Sequence, residues 1–272
     1  MGPGTHRGGG FMCFVVAVVV VGGCGSSDGP RDSSPAAGSV RPVSTTGAST
    51  TGTTPTPSVP TAAAPVATTA PEPVFVSRVD EIGPDVRARM DGRSMRPGCP
   101  VGYNGLVLLT MSYVGFDGAD HTGEMVVSRD VADDVVSVFR TLHDQRLPIR
   151  RMSLVDDFGP GPTPAEGADD NASMAADNTS AFNCRNVAGS SRPSEHSFGT
   201  AIDLNPLENP YVMRDGTVVP PAGRDFLDRT SGAPGVIGPD SPVAAAFASI
   251  GWRWGGDWSG GKDYQHFSRS GR

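Results

Sequence analysis

A change in composition near residue 73 limits where this chain can fold. Residues 25–73 consist almost entirely of Ser, Thr, Pro, Ala and Gly. Such a segment buries too little apolar surface to offset the entropy lost on folding, so we expect a disordered linker there. Residues 74–272 are long enough for one domain with its own core. The sequence therefore predicts a single folded domain at residues 74–272, preceded by a tether.

The first 24 residues are typical of an export signal. A weakly basic start leads into an apolar run from Phe11 to Val21, which is too short to span a bilayer. Gly22-Gly23-Cys24 resembles a bacterial lipobox, in which cleavage leaves the cysteine to be acylated. An ordinary signal peptide with an incidental Cys24 is the alternative. We expect an exported lipoprotein on the outer face of the cytoplasmic membrane, facing the cell wall and touching the membrane only through its lipid.

Charge and cysteine usage narrow the class further. The formal net charge of -7 argues against a nucleic-acid partner, and we expect a monomer.

With Cys13 in the signal and Cys24 lipidated, Cys99 and Cys184 remain in the domain. Two cysteines in an oxidising compartment favour one disulfide. A zinc–thiolate site is less favoured, because neither cysteine has a Cys or His nearby at ligand spacing.

The hydrophobic pattern of the domain predicts strands mixed with a few helices. Residues 106–114 and 123–128 read as strands around a turn, and 130–146 as an amphipathic helix. Further segments are a helix at 78–90, strands at 149–155, 200–204 and 264–268, a hairpin around 214–216, a helix at 241–250 and a long loop at 157–180. This order predicts an α+β fold, with a small, mainly antiparallel sheet and flanking helices.

The segment from Ser194 to Asp203 carries the first candidate site. His196 lies in a polar turn, and Asp203 lies six residues further on, at the end of a short apolar strand. A catalytic zinc needs three protein ligands of the His or carboxylate type and one open position. His266, near the C-terminus, completes such a trio. Small residues at Gly199 and Ala201 would leave room for the metal, whereas the alternative is a surface histidine and a solvated aspartate.

Asp263 lies three residues before His266. A carboxylate at that spacing can lie beside the water that a zinc ion acidifies, where it would accept the proton and pass it to a leaving amine. Asp263 is therefore the candidate general base. The alternative is a solvated loop aspartate next to Lys262.

Two ordered blocks together carry a family resemblance. The first is S-x-H-x-x-G-x-A-x-D at Ser194–Asp203, and the second is D-x-x-H-F at Asp263–Phe267, which follows the tryptophan-rich stretch Trp254–Trp258. This pattern resembles the zinc D-alanyl-D-alanine carboxypeptidase family, and within it the VanY-like and endolysin-type L-alanyl-D-glutamate peptidases. The resemblance covers residues 194–268 best and does not extend before Val74.

The resemblance implies a hedgehog/DD-peptidase-like zinc peptidase fold. It also implies zinc held by His196, Asp203 and His266, with Asp263 as acid and base, and peptidoglycan stem peptides as the substrate. The cleaved bond would be of the D,D-carboxypeptidase or the L-alanyl-D-glutamate endopeptidase type.

Many relatives place an arginine just after the central strand, where it contacts substrate. Residues 155–158 of this chain contain none. Arg185 could take over that role, and the alternative is a structural arginine on a surface loop. Ser194 is expected to bind substrate through a hydrogen bond near the site rather than to act as a nucleophile, because no base and orienting group accompany it.

Two other functions remain open from the residues alone. One is a non-catalytic, zinc-stabilised module of the same fold that binds the cell wall, and the other is an extracellular domain without zinc. The carboxyl group of Asp263 favours the enzyme, since a structural zinc has no use for a base beside it.

Overall fold

The computed structural model describes residues 74–272. The predicted signal segment at 1–24, the lipidation site Cys24 and the predicted linker at 25–73 lie outside the described residues. Among residues 74–272, no helix has the length and apolar character needed to cross a bilayer.

Four α-helices and eleven short strands make up the regular structure of the described residues. The helices are α1 Pro84–Met90, α2 Ala132–Asp144, α3 Asp170–Ala175 and α4 Pro242–Ser249. The strands are β1 Ser77–Glu81, β2 Leu106–Val114, β3 Asp120–Ser128, β4 Arg151–Met152, β5 Asn178–Thr179, β6 Ala201–Asp203, β7 Tyr211–Val212, β8 Val218–Val219, β9 Arg253–Trp254, β10 Lys262–Asp263 and β11 His266–Ser268.

These strands form several small sheets. Three antiparallel sheets have the strand orders β1-β2-β3, β6-β11-β9 and β10-β7-β8, and β4 pairs with β5 in parallel. The α+β class predicted from the sequence is confirmed. The strands are nevertheless divided among separate small sheets, because most of them are only two or three residues long.

The main core fixes the strands that carry the site. Helix α2 buries Val135, Val138, Phe139 and Leu142 along one face, as their helical spacing predicts. Phe247 of α4 stacks on Phe267 of β11, with ring centroids 4.0 Å apart. Because Phe267 is fully buried beside His266, this packing fixes the strand on which the histidine lies.

A second core cluster surrounds the disulfide. Cys99 and Cys184 are joined by a disulfide in the structure, at a sequence separation of 85. Cys184 is buried among Met90, Leu106 and Phe182. The bridge therefore ties the segment after α1 to the residue next to Arg185.

The helix expected at 78–90 is wrong in its first part. Residues Ser77–Glu81 form β1, which pairs antiparallel with β2, and only Pro84–Met90 is helical. Pro84 stands at the first position of α1, where its missing N–H is tolerated. The loop expected at 157–180 likewise contains the short elements α3 and β5.

Candidate metal centre

The antiparallel register of β6 and β11 brings the first two candidate ligands together. His266 lies directly opposite Asp203 in this pair. Side chains of directly opposed residues project from the same face of a sheet, so the imidazole and the carboxylate meet there. His196 comes from the single helical turn Glu195–Phe198, which leads into β6.

Three side chains converge in this centre. His196 Nε2 lies 3.2 Å from Asp203 Oδ2, and His266 Nδ1 lies 3.0 Å from Asp203 Oδ1. The two imidazole nitrogens are 3.2 Å apart. All three residues are buried, with relative exposures of 3%, 4% and 5% for His196, Asp203 and His266. The structure thus brings together the trio that the sequence singled out.

The outer nitrogens of both rings are occupied by main-chain oxygens. His196 Nδ1 lies 2.6 Å from the carbonyl oxygen of Ala181, and His266 Nε2 lies 2.8 Å from the main-chain oxygen of Arg272. A carbonyl oxygen only accepts, so each outer nitrogen carries the proton. In the neutral rings, the inner nitrogens of His196 and His266 then present lone pairs to each other and to Asp203.

This donor set fits a zinc ion. Two imidazole nitrogens and one carboxylate oxygen are the ligands of many catalytic zinc sites, and bond lengths of ~2.0–2.1 Å in a tetrahedral arrangement place ligand atoms about 3.3 Å apart. The observed separations of 3.0 to 3.2 Å are close to that spacing. The main-chain contacts of the outer nitrogens are also typical of metal-bound histidines. His196, Asp203 and His266 could therefore hold the metal.

The electrostatics of the centre favour a cation. Burial alone would raise the pKa of Asp203, but when the inner nitrogens of His196 and His266 are also protonated, their charges and hydrogen bonds outweigh burial and hold that pKa well below its usual range. Burial would lower the pKa of His266, yet the hydrogen bond and the charge of Asp203 raise it. The Asp203 carboxylate is thus stabilised by positive charge at this position.

Asp263 lies beside the centre without belonging to the trio. It is on β10, directly opposite Tyr211 of β7, and its Oδ1 is buried without a hydrogen-bond partner among the described residues. Burial and the nearby negative charge of Asp203 raise the pKa of Asp263 to about 7. A carboxyl group that titrates near neutrality is suited to accept and return a proton.

Arg185 is a charged neighbour of the centre. Its Nη2 forms an ion pair with Asp170 Oδ2 at 2.8 Å. Burial would lower the pKa of Arg185, but the negative charges of Asp170, Asp203 and Asp263 raise it. The guanidinium is therefore within electrostatic reach of Asp203 and of the candidate base.

Ser194 is a capping residue of the turn that carries His196. Its hydroxyl accepts from the main-chain N–H of His196 at 3.4 Å, and its own N–H donates to the Arg185 carbonyl at 3.0 Å. The residue is buried. These contacts position His196 relative to Arg185, while the substrate-binding role expected for Ser194 stays a prediction.

Gly199 ends that turn in a left-handed conformation, with φ of +67°. A Cβ at this position would lie 2.5 Å from the main-chain nitrogen of Ser128. The close approach of the Gly199 and Ser128 backbones therefore explains why residue 199 is a glycine. The sequence had suggested a different reason, which was room for the metal.

Two residues near the centre did not emerge from the sequence. Tyr211 is the cross-strand partner of Asp263. Burial and the negative charge of Asp263 raise the pKa of the Tyr211 phenol. Asp170 pairs with Arg185 from the first turn of α3, within the segment expected to be a loop. The hairpin predicted around 214–216 could have indicated that Tyr211 lies on a strand near the site. No sequence pattern indicated that Asp170 pairs with Arg185.

Comparison with known proteins agrees with the geometry. A search of curated proteins and of solved structures gave no significant match. The family model described as D-alanyl-D-alanine carboxypeptidase matches residues 188–269, which include all four of His196, Asp203, Asp263 and His266. This match supports a hydrolase of the peptidase class. The resemblance found in the sequence is confirmed: residues 188–269 match the D-alanyl-D-alanine carboxypeptidase family.

Proposed function

We propose that this protein is a zinc metallopeptidase that hydrolyses peptide bonds in peptidoglycan stem peptides. The observation that carries the proposal is the convergence of His196, Asp203 and His266, with the carboxyl group of Asp263 beside them. The match to a carboxypeptidase family over these residues supports the same substrate class. The reaction would be of the D,D-carboxypeptidase or the L-alanyl-D-glutamate endopeptidase type.

Each residue of the centre has a distinct task in this reaction. When bound, zinc supplies a Lewis acid that acidifies water and polarises a carbonyl group. Asp263 takes a proton from the attacking water and returns it to the departing amine, a role for which its buried Oδ1 is available because it has no hydrogen-bond partner among the described residues. Arg185 donates to a substrate oxygen from the other side, since its positive charge already lies near Asp203 and Asp263.

The tautomers of the two histidines support their role as metal ligands. Ala181 and Arg272 hold the outer nitrogens of His196 and His266 as donors, which leaves both inner nitrogens free to bind metal. The ring orientation is thereby set by the fold before any ligand arrives.

The wider proposal places the protein outside the cytoplasm as a monomer. The apolar run and Cys24 in residues 1–24 support export and lipidation, and residues 25–73 would tether the domain to the membrane at a distance suited to the cell wall. The disulfide between Cys99 and Cys184 agrees with an oxidising compartment. The small antiparallel sheets around the centre agree with a hedgehog/DD-peptidase-like fold.

The rival function is a non-catalytic, zinc-stabilised module that binds the cell wall. The buried, unpartnered Oδ1 of Asp263 speaks against it, because a purely structural zinc site has no use for an unpaired carboxyl group beside it.

Digestion of purified muropeptides separates the two functions. The zinc-loaded protein is expected to shorten the stem peptides, as seen by mass spectrometry, and a chelator is expected to stop the reaction. The mass lost identifies the bond that is cleaved. Binding of muropeptides without any change in their mass would favour the wall-binding module.

A further inference from the structure

A groove of about 700 Å³ opens on the side of Arg185. Two segments form its walls, one from Pro162 to Asn171 and one from Arg185 to Ser191. Both Arg185 and Asp170 line it. The Arg185 carbonyl oxygen accepts from the Ser194 N–H at 3.0 Å and from the Ser197 hydroxyl at 2.6 Å, in the turn that carries His196, so this arginine connects the groove with the metal centre.

The Arg185 side chain has few contacts that hold it in this place. Its ion pair with Asp170 is the one salt bridge that it makes within residues 74–272, and both side chains are about four-fifths buried. Its Nε is buried and has no hydrogen-bond partner in the described part of the chain. An arginine has several rotatable bonds, so a single ion pair largely decides its orientation.

Asp170 is itself fixed by local structure. Asp169 caps α3 by accepting from the Ala172 N–H at 3.0 Å, which fixes the first helical turn where Asp170 lies. Ser173 of the same helix is buried and accepts a hydrogen bond from the Asn178 side chain at 3.0 Å. The carboxylate of Asp170 is thus presented to Arg185 by a short, anchored helix.

We propose that Asp170 is a positioning residue, which holds Arg185 at the junction of the groove and the metal centre so that the guanidinium can bind a substrate oxygen there. This inference rests on the proposed function. Asp170 does not itself take a cationic substrate group, because its carboxylate is already paired with Arg185 at 2.8 Å. The groove then receives the part of the peptide that extends beyond the oxygen bound by Arg185.

The rival explanation is that the ion pair only stabilises the fold. Loss of an ion pair that is four-fifths buried lowers stability under either explanation, whereas only an orienting role makes that loss weaken the interaction of Arg185 with ligand. Peptide binding therefore distinguishes the two roles better than thermal stability does.

The test measures peptide binding by calorimetry in the zinc-loaded Asp263→Asn protein, in which turnover is stopped. The probe is a tripeptide that ends in D-Ala-D-Ala. Asp170→Ala and Arg185→Ala are each expected to weaken binding about tenfold, and the double variant is expected to bind no more weakly than Arg185→Ala alone. Asp170→Asn keeps an acceptor for Arg185 and should recover part of the loss.

Asp133→Ala is the matched control, because it removes an exposed carboxylate from the first turn of α2 that has no arginine partner within residues 74–272. It should leave binding unchanged, and all variants should keep the same zinc content. The inference is overturned if Asp170→Ala weakens binding equally in the presence and absence of Arg185. It is also overturned if Asp170→Ala binds the peptide normally, or if the Asp263→Asn protein without further changes does not bind it. If the Asp263→Asn protein binds the peptide but the zinc-loaded natural protein does not hydrolyse it, the proposed function is refuted. The inference about Asp170 and Arg185 stands in that case.

Discussion

His196 Nε2 and His266 Nδ1 lie 3.2 Å apart, and the other nitrogen of each ring faces a main-chain oxygen. Two lone pairs and the Asp203 carboxylate therefore meet at one buried point. Such a set of acceptors is unfavourable unless a proton or a metal ion lies between them. The fold thus holds a site whose own groups require a cation.

Removal of a ligand should abolish metal binding. His266→Ala is expected to reduce zinc from about one ion per chain to a trace, because two ligands cannot hold zinc tightly. Zinc should raise the unfolding midpoint of the natural protein and leave that of the variant unchanged, since only a state that binds the metal gains stability from it. Metal content and thermal unfolding measure both effects.

His121→Ala is the control for this prediction. His121 lies on β3, where it contacts Asp117 and Tyr113 at a distance from the centre. Its replacement should leave the zinc content unchanged. An equal loss of zinc in both variants, or none in either, would contradict the assigned site.

Gly199→Ala should destabilise the domain by about 2–4 kcal/mol. Alanine is strained in the left-handed conformation of this position, and its Cβ would also overlap the main-chain nitrogen of Ser128. Gly216→Ala is matched for strain, since Gly216 has φ of +85° but no atom within 4 Å of an added Cβ. It should lose only about 1–2 kcal/mol. Urea unfolding measures both, and equal losses would refute the close backbone approach as the reason for Gly199.

The disulfide should contribute strongly to stability. Replacing both Cys99 and Cys184 by Ala opens a loop of 85 residues and is expected to lower the free energy of unfolding by about 4 kcal/mol. A reductant should produce a similar loss in the natural protein and none in the double variant. Urea unfolding with and without reductant tests this, and a natural protein that is insensitive to reduction would count against it.

A buried acidic pair, Glu208 and Asp177, should make stability depend on pH. Glu208 and Asp177 are both buried, with Arg150 at 3.8 Å from Glu208 Oε1 and 3.5 Å from Asp177 Oδ2. Burial, together with the hydrogen bond and charge of Asp177, raises the pKa of Glu208 to about 8 from an ordinary 4.5. Folding therefore takes up a proton between these two values, and stability should fall as the pH rises through this window.

Glu208→Gln should remove most of this fall, because the amide stays neutral at every pH. The natural protein is expected to lose stability between pH 5 and 9, on the order of a few kcal/mol, and the variant much less. Glu81→Gln is the control: the exposed Glu81 has a lowered pKa beside Arg129 and titrates below this window. A variant with the same pH slope as the natural protein would show that Glu208 is not the group responsible.

The trio of the metal centre could be predicted because its residues lie in two short patterns. The spacing from His196 to Asp203 indicates a turn that leads into a strand, and β11 supplies His266 directly opposite. Residue types together with their turn and strand contexts selected these three, since few histidines are present in the chain. Their roles as ligands remain predictions until metal is measured.

Other features depend on tertiary contacts that no local pattern encodes. Residues 77–81 form a strand because they pair with β2, whereas their own sequence is compatible with a helix. The ion pair of Asp170 and Arg185 joins a short helix in a predicted loop to a residue fifteen positions later. Division of the strands among small sheets likewise follows from packing rather than from hydrophobic periodicity.

The most direct test of the proposed function is the hydrolysis of stem peptides by zinc-loaded natural protein and by Asp263→Asn. The carboxyl group of Asp263 is predicted to move the proton, so the variant should lose about 10²–10⁴-fold in kcat while it keeps about one zinc ion per chain. Hydrolysis by the natural protein that disappears in Asp263→Asn, at equal zinc content, is the predicted result. Undiminished hydrolysis by the variant, or none by the zinc-loaded natural protein, would contradict the account.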